Sequence, residues 1–178
     1  MDHCDECGFV YGDLPRYEVS RALSELAEQY VARLSATSSD ALRRRPEPEV
    51  WSPLEYAAHV RDVIEVQRER AMVALLHDAP TFEPMGREER VVQWRYNDQD
   101  PADVAREIRR NTADLATVLD SLDDDGWVRI GIYNWPERAE RDVEWIARHS
   151  VHEQVHHLLD IHRSLQGQPG TPTGIGSG

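Results

Sequence analysis

Four stretches of the chain repeat apolar residues at helical spacing, and the segments between them do not. The first predicted helix runs from about Tyr17 to Leu34, with Ala22, Leu23, Leu26, Tyr30, Val31 and Leu34 on one stripe. A second starts at Ser52-Pro53-Leu54-Glu55 and extends to about Leu76. There Ser52 can cap, Pro53 suits the first helical position, and Glu55 closes a capping box. A third follows Asp100-Pro101 and reaches about Leu122, its inward face formed by Val104, Ile108, Leu115, Val118, Leu119 and Leu122. The fourth spans about Asp142 to Leu165.

The connections refine this picture. Residues 77 to 100 are rich in Pro, Gly and charge and form one long crossover. The stretch Trp127 to Tyr133 alternates loosely, which predicts a short strand or hairpin. Four long helices with one long crossover predict an all-α protein, a four-helix bundle. The expected organisation is an extension over 1–16, the bundle over 17–166 and a flexible Gly/Pro/Ser/Thr tail over 167–178.

Charge narrows the function. Thirty-three acidic residues against 20 basic ones give a net charge of −13, which repels a phosphate backbone and argues against nucleic acid as a partner. Every basic residue is arginine, which hints at a GC-rich coding sequence. No signal peptide and no apolar run of membrane-spanning length is evident, so a cytoplasmic protein with no membrane partner is expected.

The candidate chemistry lies in His149-Ser150-Val151-His152-Glu153-Gln154-Val155-His156-His157. His152 and His156 are four apart, hence one turn apart on one helix face, where two imidazoles can reach one ion. Trp145, His149, His152, His156, Asp160 and Arg163 share a stripe beside the apolar arc. On the second helix Glu55, His59, Val63, Val66 and Arg70 share a face, placing His59 in an apolar stripe. Facing helices of a bundle approach to about 10 Å, which lets three imidazoles converge. Glu55, His149 and Asp160 are candidates to orient those imidazoles, and His157 reads as a packing or surface residue. Trp51 and Trp145 read as packing residues. Arg87, Arg90 and Arg95, near Trp94 and Tyr96, either contact a polar cosubstrate or belong to a solvated loop.

The pattern Trp51-Ser52-Pro53-Leu54-Glu55-Tyr56-Ala57-Ala58-His59, followed about ninety residues later by His152-Glu153-Gln154-Val155-His156-His157, resembles the DinB-like superfamily. These are metal-binding four-helix bundles that include thiol-dependent S-transferases and mycothiol-dependent maleylpyruvate isomerases. The resemblance covers roughly residues 17 to 165 and implies a metal triad of His59, His152 and His156 with open coordination positions. It implies a divalent ion, zinc foremost, with nickel or iron as alternatives. The ion would activate a low-molecular-weight thiol such as mycothiol for attack on a small electrophile. A homodimer is the expected assembly.

Two other readings stay open. The bundle could be a non-catalytic metal-binding stress or sensor protein. The segment His152-Glu153-Gln154-Val155-His156 also matches the H-E-x-x-H pattern of zinc peptidases, with Glu153 as base and His162 where a third histidine stands in one subclass. His162 argues against that subclass. Six residues turn an unbroken helix by about 600°, leaving it about 120° from His156.

His3-Cys4-Asp5-Glu6-Cys7-Gly8 is half of a zinc-ribbon knuckle, and no other cysteine is present. The Cys4/Cys7 pair is a possible second metal or redox site. It could bind zinc with His3 and an outside ligand or across a dimer, cycle as a dithiol, fold onto the bundle near the histidines, or be a relic.

Overall fold

A computed structural model of the protein describes residues 3–134 and 137–168. Seven helices are present among them: α1 (Val19–Ala36), α2 (Ser39–Arg43), α3 (Pro53–Leu76), α4 (Arg87–Gln93), α5 (Pro101–Asp120), α6 (Asp124–Trp127) and α7 (Val143–Leu165). The four long ones form the expected bundle. Helix α1 packs on α5 and α7, and α3 packs on the same two. The chain-consecutive pairs α1/α3 and α5/α7 therefore lie across the diagonals, and the α3/α7 wall joins residues far apart in sequence.

Local chemistry sets the helix starts. Ser52 and Glu55 make both bonds of the capping box, Ser52 Oγ accepting from the Glu55 N–H at 3.2 Å and Glu55 accepting from the Ser52 N–H at 2.8 Å. Asp100 caps α5 and Asp142 caps α7 through side-chain acceptors. Helix α5 is strongly amphipathic, burying Val104, Ile108, Leu115 and Leu119. The first half of α3 differs, being buried on every side from Pro53 to Ile64.

The crossover is more ordered than a loop. Thr81–Phe82 (β1) pairs in parallel with Ile130–Tyr133 (β2), which pairs antiparallel with Ala139–Asp142 (β3), so the expected hairpin carries a third short strand. Gly131 is the residue that lets β1 approach, since a Cβ there would stand 2.2 Å from the Phe82 ring. Arg90 and the buried Tyr96 both bond the Asp62 carboxylate, which is itself 1% exposed on α3. Arg87 stacks over Trp51. The crossover is thus tied to α3, and Arg95 pairs outward with Asp98 at 2.8 Å.

Residues 3–16 lie against α7. Phe9 and Leu14 pack on the core, Tyr11 is buried, and Arg148 donates to the Leu14 carbonyl at 2.8 Å. Of the tail expected to be flexible, residues 169–178 lie outside the described residues. No helix among the described residues is long and apolar enough to cross a membrane.

Candidate metal centre

Among the i,i+4 pairs of ligand-type residues on α7, His152/His156 and Glu153/His157 are offset by one residue. One residue is about 100° of helix rotation, so the pairs look in different directions. The Glu153/His157 pair faces α3. With His59 it forms a group in which one ligand-type atom from each residue lies within 4.8 Å of the others. The His152/His156 pair faces the N-terminal segment and groups in the same way with Cys4 and Cys7.

The expected triad of His59, His152 and His156 is not brought together as one group: His59 lies with Glu153 and His157, and His152 and His156 with Cys4 and Cys7, while overlapping groups of His149, His152 and Glu153 and of His156, His157 and Asp160 connect the two. His157, read as packing or surface, is 4% exposed and sits beside His59, with ring centroids 5.0 Å apart. Glu153, read as a peptidase base, is the carboxylate of that buried cluster. Glu55 is engaged elsewhere, with its own cap and with Arg45 at 2.8 Å.

Asp160 and His149 both touch the clusters. Asp160 Oδ2 accepts from His157 Nδ1 at 2.9 Å, which leaves His157 Nε2 facing Glu153 Oε2 at 3.5 Å. His149 Nδ1 lies 2.7 Å from the Tyr11 hydroxyl, and its Nε2 lies 3.6 Å from Glu153 Oε1. The same hydroxyl lies 3.2 Å from His152 Nδ1. Tyr11 and His149 thus bridge the two clusters, and sequence reasoning gave Tyr11 no role. Trp145 stacks on His149 at 4.4 Å, Trp51 meets His59 edge-on at 5.2 Å, and Tyr56 stacks on His157 at 5.5 Å. The two tryptophans pack, as expected, but on the site itself.

Burial and mutual contacts set the charges of these groups. Burial, with the neighbouring His157 charge, pushes His59 well below the usual imidazole range. Burial would also lower His157, but its hydrogen bond to Asp160 and the facing Glu153 carboxylate raise it to about 9. Burial would raise the Glu153 carboxyl; contacts with His152, His157 and His149 outweigh it and hold the group well below the usual range. Both ring nitrogens of His59 and the Nε2 of His157 are buried with no hydrogen-bond partner. An unpartnered buried nitrogen costs roughly 1–3 kcal/mol, and the two of His59 lie beside the Glu153–His157 ion pair. A divalent cation fits the donor set of two imidazoles and a carboxylate, the ligand types of catalytic zinc sites.

A family model for the DinB superfamily matches residues 22–161. The chain belongs to that superfamily. Among solved structures, it aligns with YfiT from Bacillus subtilis, a probable metal-dependent hydrolase with an unusual four-helix bundle topology, at a TM-score of 0.73 and 14% identity. That alignment covers 85% of this chain and 87% of YfiT. It also aligns with the mycothiol-dependent maleylpyruvate isomerase at a TM-score of 0.66 and 15% identity, covering 84% of this chain but only 62% of the isomerase. At these identities the likeness is one of fold. No individually curated protein matches the chain by sequence.

Proposed function

We propose that this protein is a metal-dependent enzyme in which His59, Glu153 and His157 hold a divalent cation, and that a small thiol of the mycothiol type is its cosubstrate. The observation carrying this reading is the set of buried, unpartnered nitrogens of His59 and His157 converging on Glu153. The cation would supply Lewis acidity, lowering the pKa of a thiol or water at an open position. Asp160 accepts the Nδ1 proton of His157 and so directs its Nε2 lone pair inward. Trp51 and Tyr56 wall the site and exclude water. His149 and Tyr11 can hold or move a proton beside Glu153. The isomerase relative supports the thiol, and the hydrolase relative leaves water as the competing nucleophile.

The peptidase reading loses its geometry here. Its two histidines, His152 and His156, group with two cysteines, while Glu153 lies between His59 and His157 and also contacts His152 at 3.5 Å rather than standing free as a base. A closed, non-catalytic metal site is the reading to test against, because His59, Glu153 and His157 are each below 5% exposed. Metal-loaded protein is to be assayed with mycothiol and a small electrophile such as maleylpyruvate, with and without the thiol. Turnover that needs both metal and thiol, and is lost in His59→Ala, supports the proposal. Full metal occupancy with no thiol-dependent turnover and no exchange of the ion with solvent chelators would favour the closed site.

A further inference from the structure

We infer that Cys4, Cys7, His152 and His156 form a second, structural zinc site that clamps the N-terminal segment onto α7. Their ligand atoms all lie within 4.8 Å of one another without any ion. Thiolates at about 2.3 Å and imidazoles at about 2.0 Å from one zinc ion stand roughly 3.3–3.8 Å apart, so only a small contraction is needed. Two thiols and two imidazoles make a closed tetrahedral set with no position left for substrate.

The local fold is built for this. The Cys4 N–H donates to the Phe9 carbonyl and the Gly8 N–H to the Cys4 carbonyl, both at 2.8 Å, with Gly8 at φ +73° closing the turn. A Cβ at Gly8 would be strained by that φ. His3 and Val10 bridge the ends of this small hairpin. Burial would raise the Cys4 thiol, but backbone N–H groups of Cys7 and Glu6 against its sulfur outweigh it and lower the thiol, while burial and the neighbouring Cys4 push the Cys7 thiol up to about 11 despite the Phe9 N–H against its sulfur.

The imidazoles are oriented independently. His152 Nδ1 is engaged by the Tyr11 hydroxyl, leaving Nε2, which is buried without a hydrogen-bond partner. His156 presents Nδ1 to the Cys4 sulfur at 3.5 Å, while its Nε2 faces Asp160 at 3.6 Å and Glu6 at 3.7 Å. Carboxylates behind a ligating imidazole are the usual orienting partners. His3 is not among the four; it pairs with Asp5 at 2.7 Å. Because Tyr11 directly follows this hairpin, the clamp also holds in place the hydroxyl that contacts His149 and His152.

The test is cobalt substitution of the full chain, monitored by absorption. A site with two thiolates gives an intense thiolate-to-cobalt charge-transfer band, and a site of imidazoles and carboxylate gives none. The expected result is that band in the wild type and in His59→Ala, and its loss in Cys4→Ser/Cys7→Ser. In unmutated zinc protein, blocking the two thiols with a mercurial reagent should release one zinc into a colorimetric chelator. This second measurement does not depend on a variant folding. Absence of the band in wild-type cobalt protein would overturn the inference. So would an unchanged zinc content after both thiols are blocked, or an isolated dithiol that oxidises to a disulfide while full metal is retained.

Discussion

His59 of α3 and His157 of α7 meet edge to face with ring centroids 5.0 Å apart, both buried, both with unpartnered nitrogen. Their contact fixes which register of α7 faces the bundle interior. His59→Ala and His157→Ala are each expected to remove one metal equivalent while leaving helicity, by circular dichroism, nearly unchanged. His152→Ala is expected to leave that equivalent in place. Elemental analysis of the three variants decides the register, and loss of the same ion from all three would contradict it.

Asp160 is 0% exposed and holds the His157 Nδ1 proton. Asp160→Asn keeps the shape but weakens that hold. Metal affinity, measured by competition with a chelator, is expected to fall by about 10–100-fold.

Metal binding at this site should release a proton. His157, raised to about 9, carries a second proton at neutral pH that a cation must displace. Affinity is therefore expected to rise with pH up to about 9 and then level off, read by calorimetry in buffers of different ionisation enthalpy. In the metal-free protein the sign reverses. A raised folded-state pKa contributes stability that is fully present below the unfolded value near 6.5 and is lost as pH rises through about 9. Urea midpoints of metal-free protein are expected to decline across that window.

Asp62 ties α3 to the crossover, accepting from Arg61 Nε at 2.6 Å and from the Tyr96 hydroxyl. Asp62→Ala leaves the buried Arg61 guanidinium without this carboxylate and is expected to cost about 3–5 kcal/mol in urea unfolding. A cost below about 1 kcal/mol would show that Gln99 and Glu107, at 2.6 and 3.0 Å from Arg61, suffice.

Gly131→Ala would drive a methyl into the Phe82 ring. A loss of about 1–3 kcal/mol is expected. The paired change Gly131→Ala with Phe82→Leu should recover part of it, checked as a double-mutant cycle.

The bundle was readable because its helices announce themselves. The capping box at Ser52, the Asp100-Pro101 start and the amphipathic stripe of α5 need no tertiary information. The candidate site was readable as a region but not as a register. Helix α3 is buried on all sides around His59, so no polar face marks its neighbours, and α7 offers two metal-spaced pairs one residue apart. Only the packing of α3 on α7 chooses between them. Docking of the cysteines near the histidines was one of several open readings of the sequence, and no local pattern could choose it, because the contact spans 152 positions. Tyr11 belongs to the same case, an ordinary aromatic until its hydroxyl is seen between His149 and His152.

Docking residues 3–16 on α7 sets an order of events during synthesis. At about 5–20 residues per second, roughly 8–30 s separate the appearance of Cys7 from that of His156. Through that interval the hairpin has no α7 to rest on, and α3, already made, carries His59 without Glu153 or His157. Synthesis of α7 brings Glu153 and His157 to His59 and His152 and His156 to the cysteines together, so a chain cut short before α7 lacks both sets of partners.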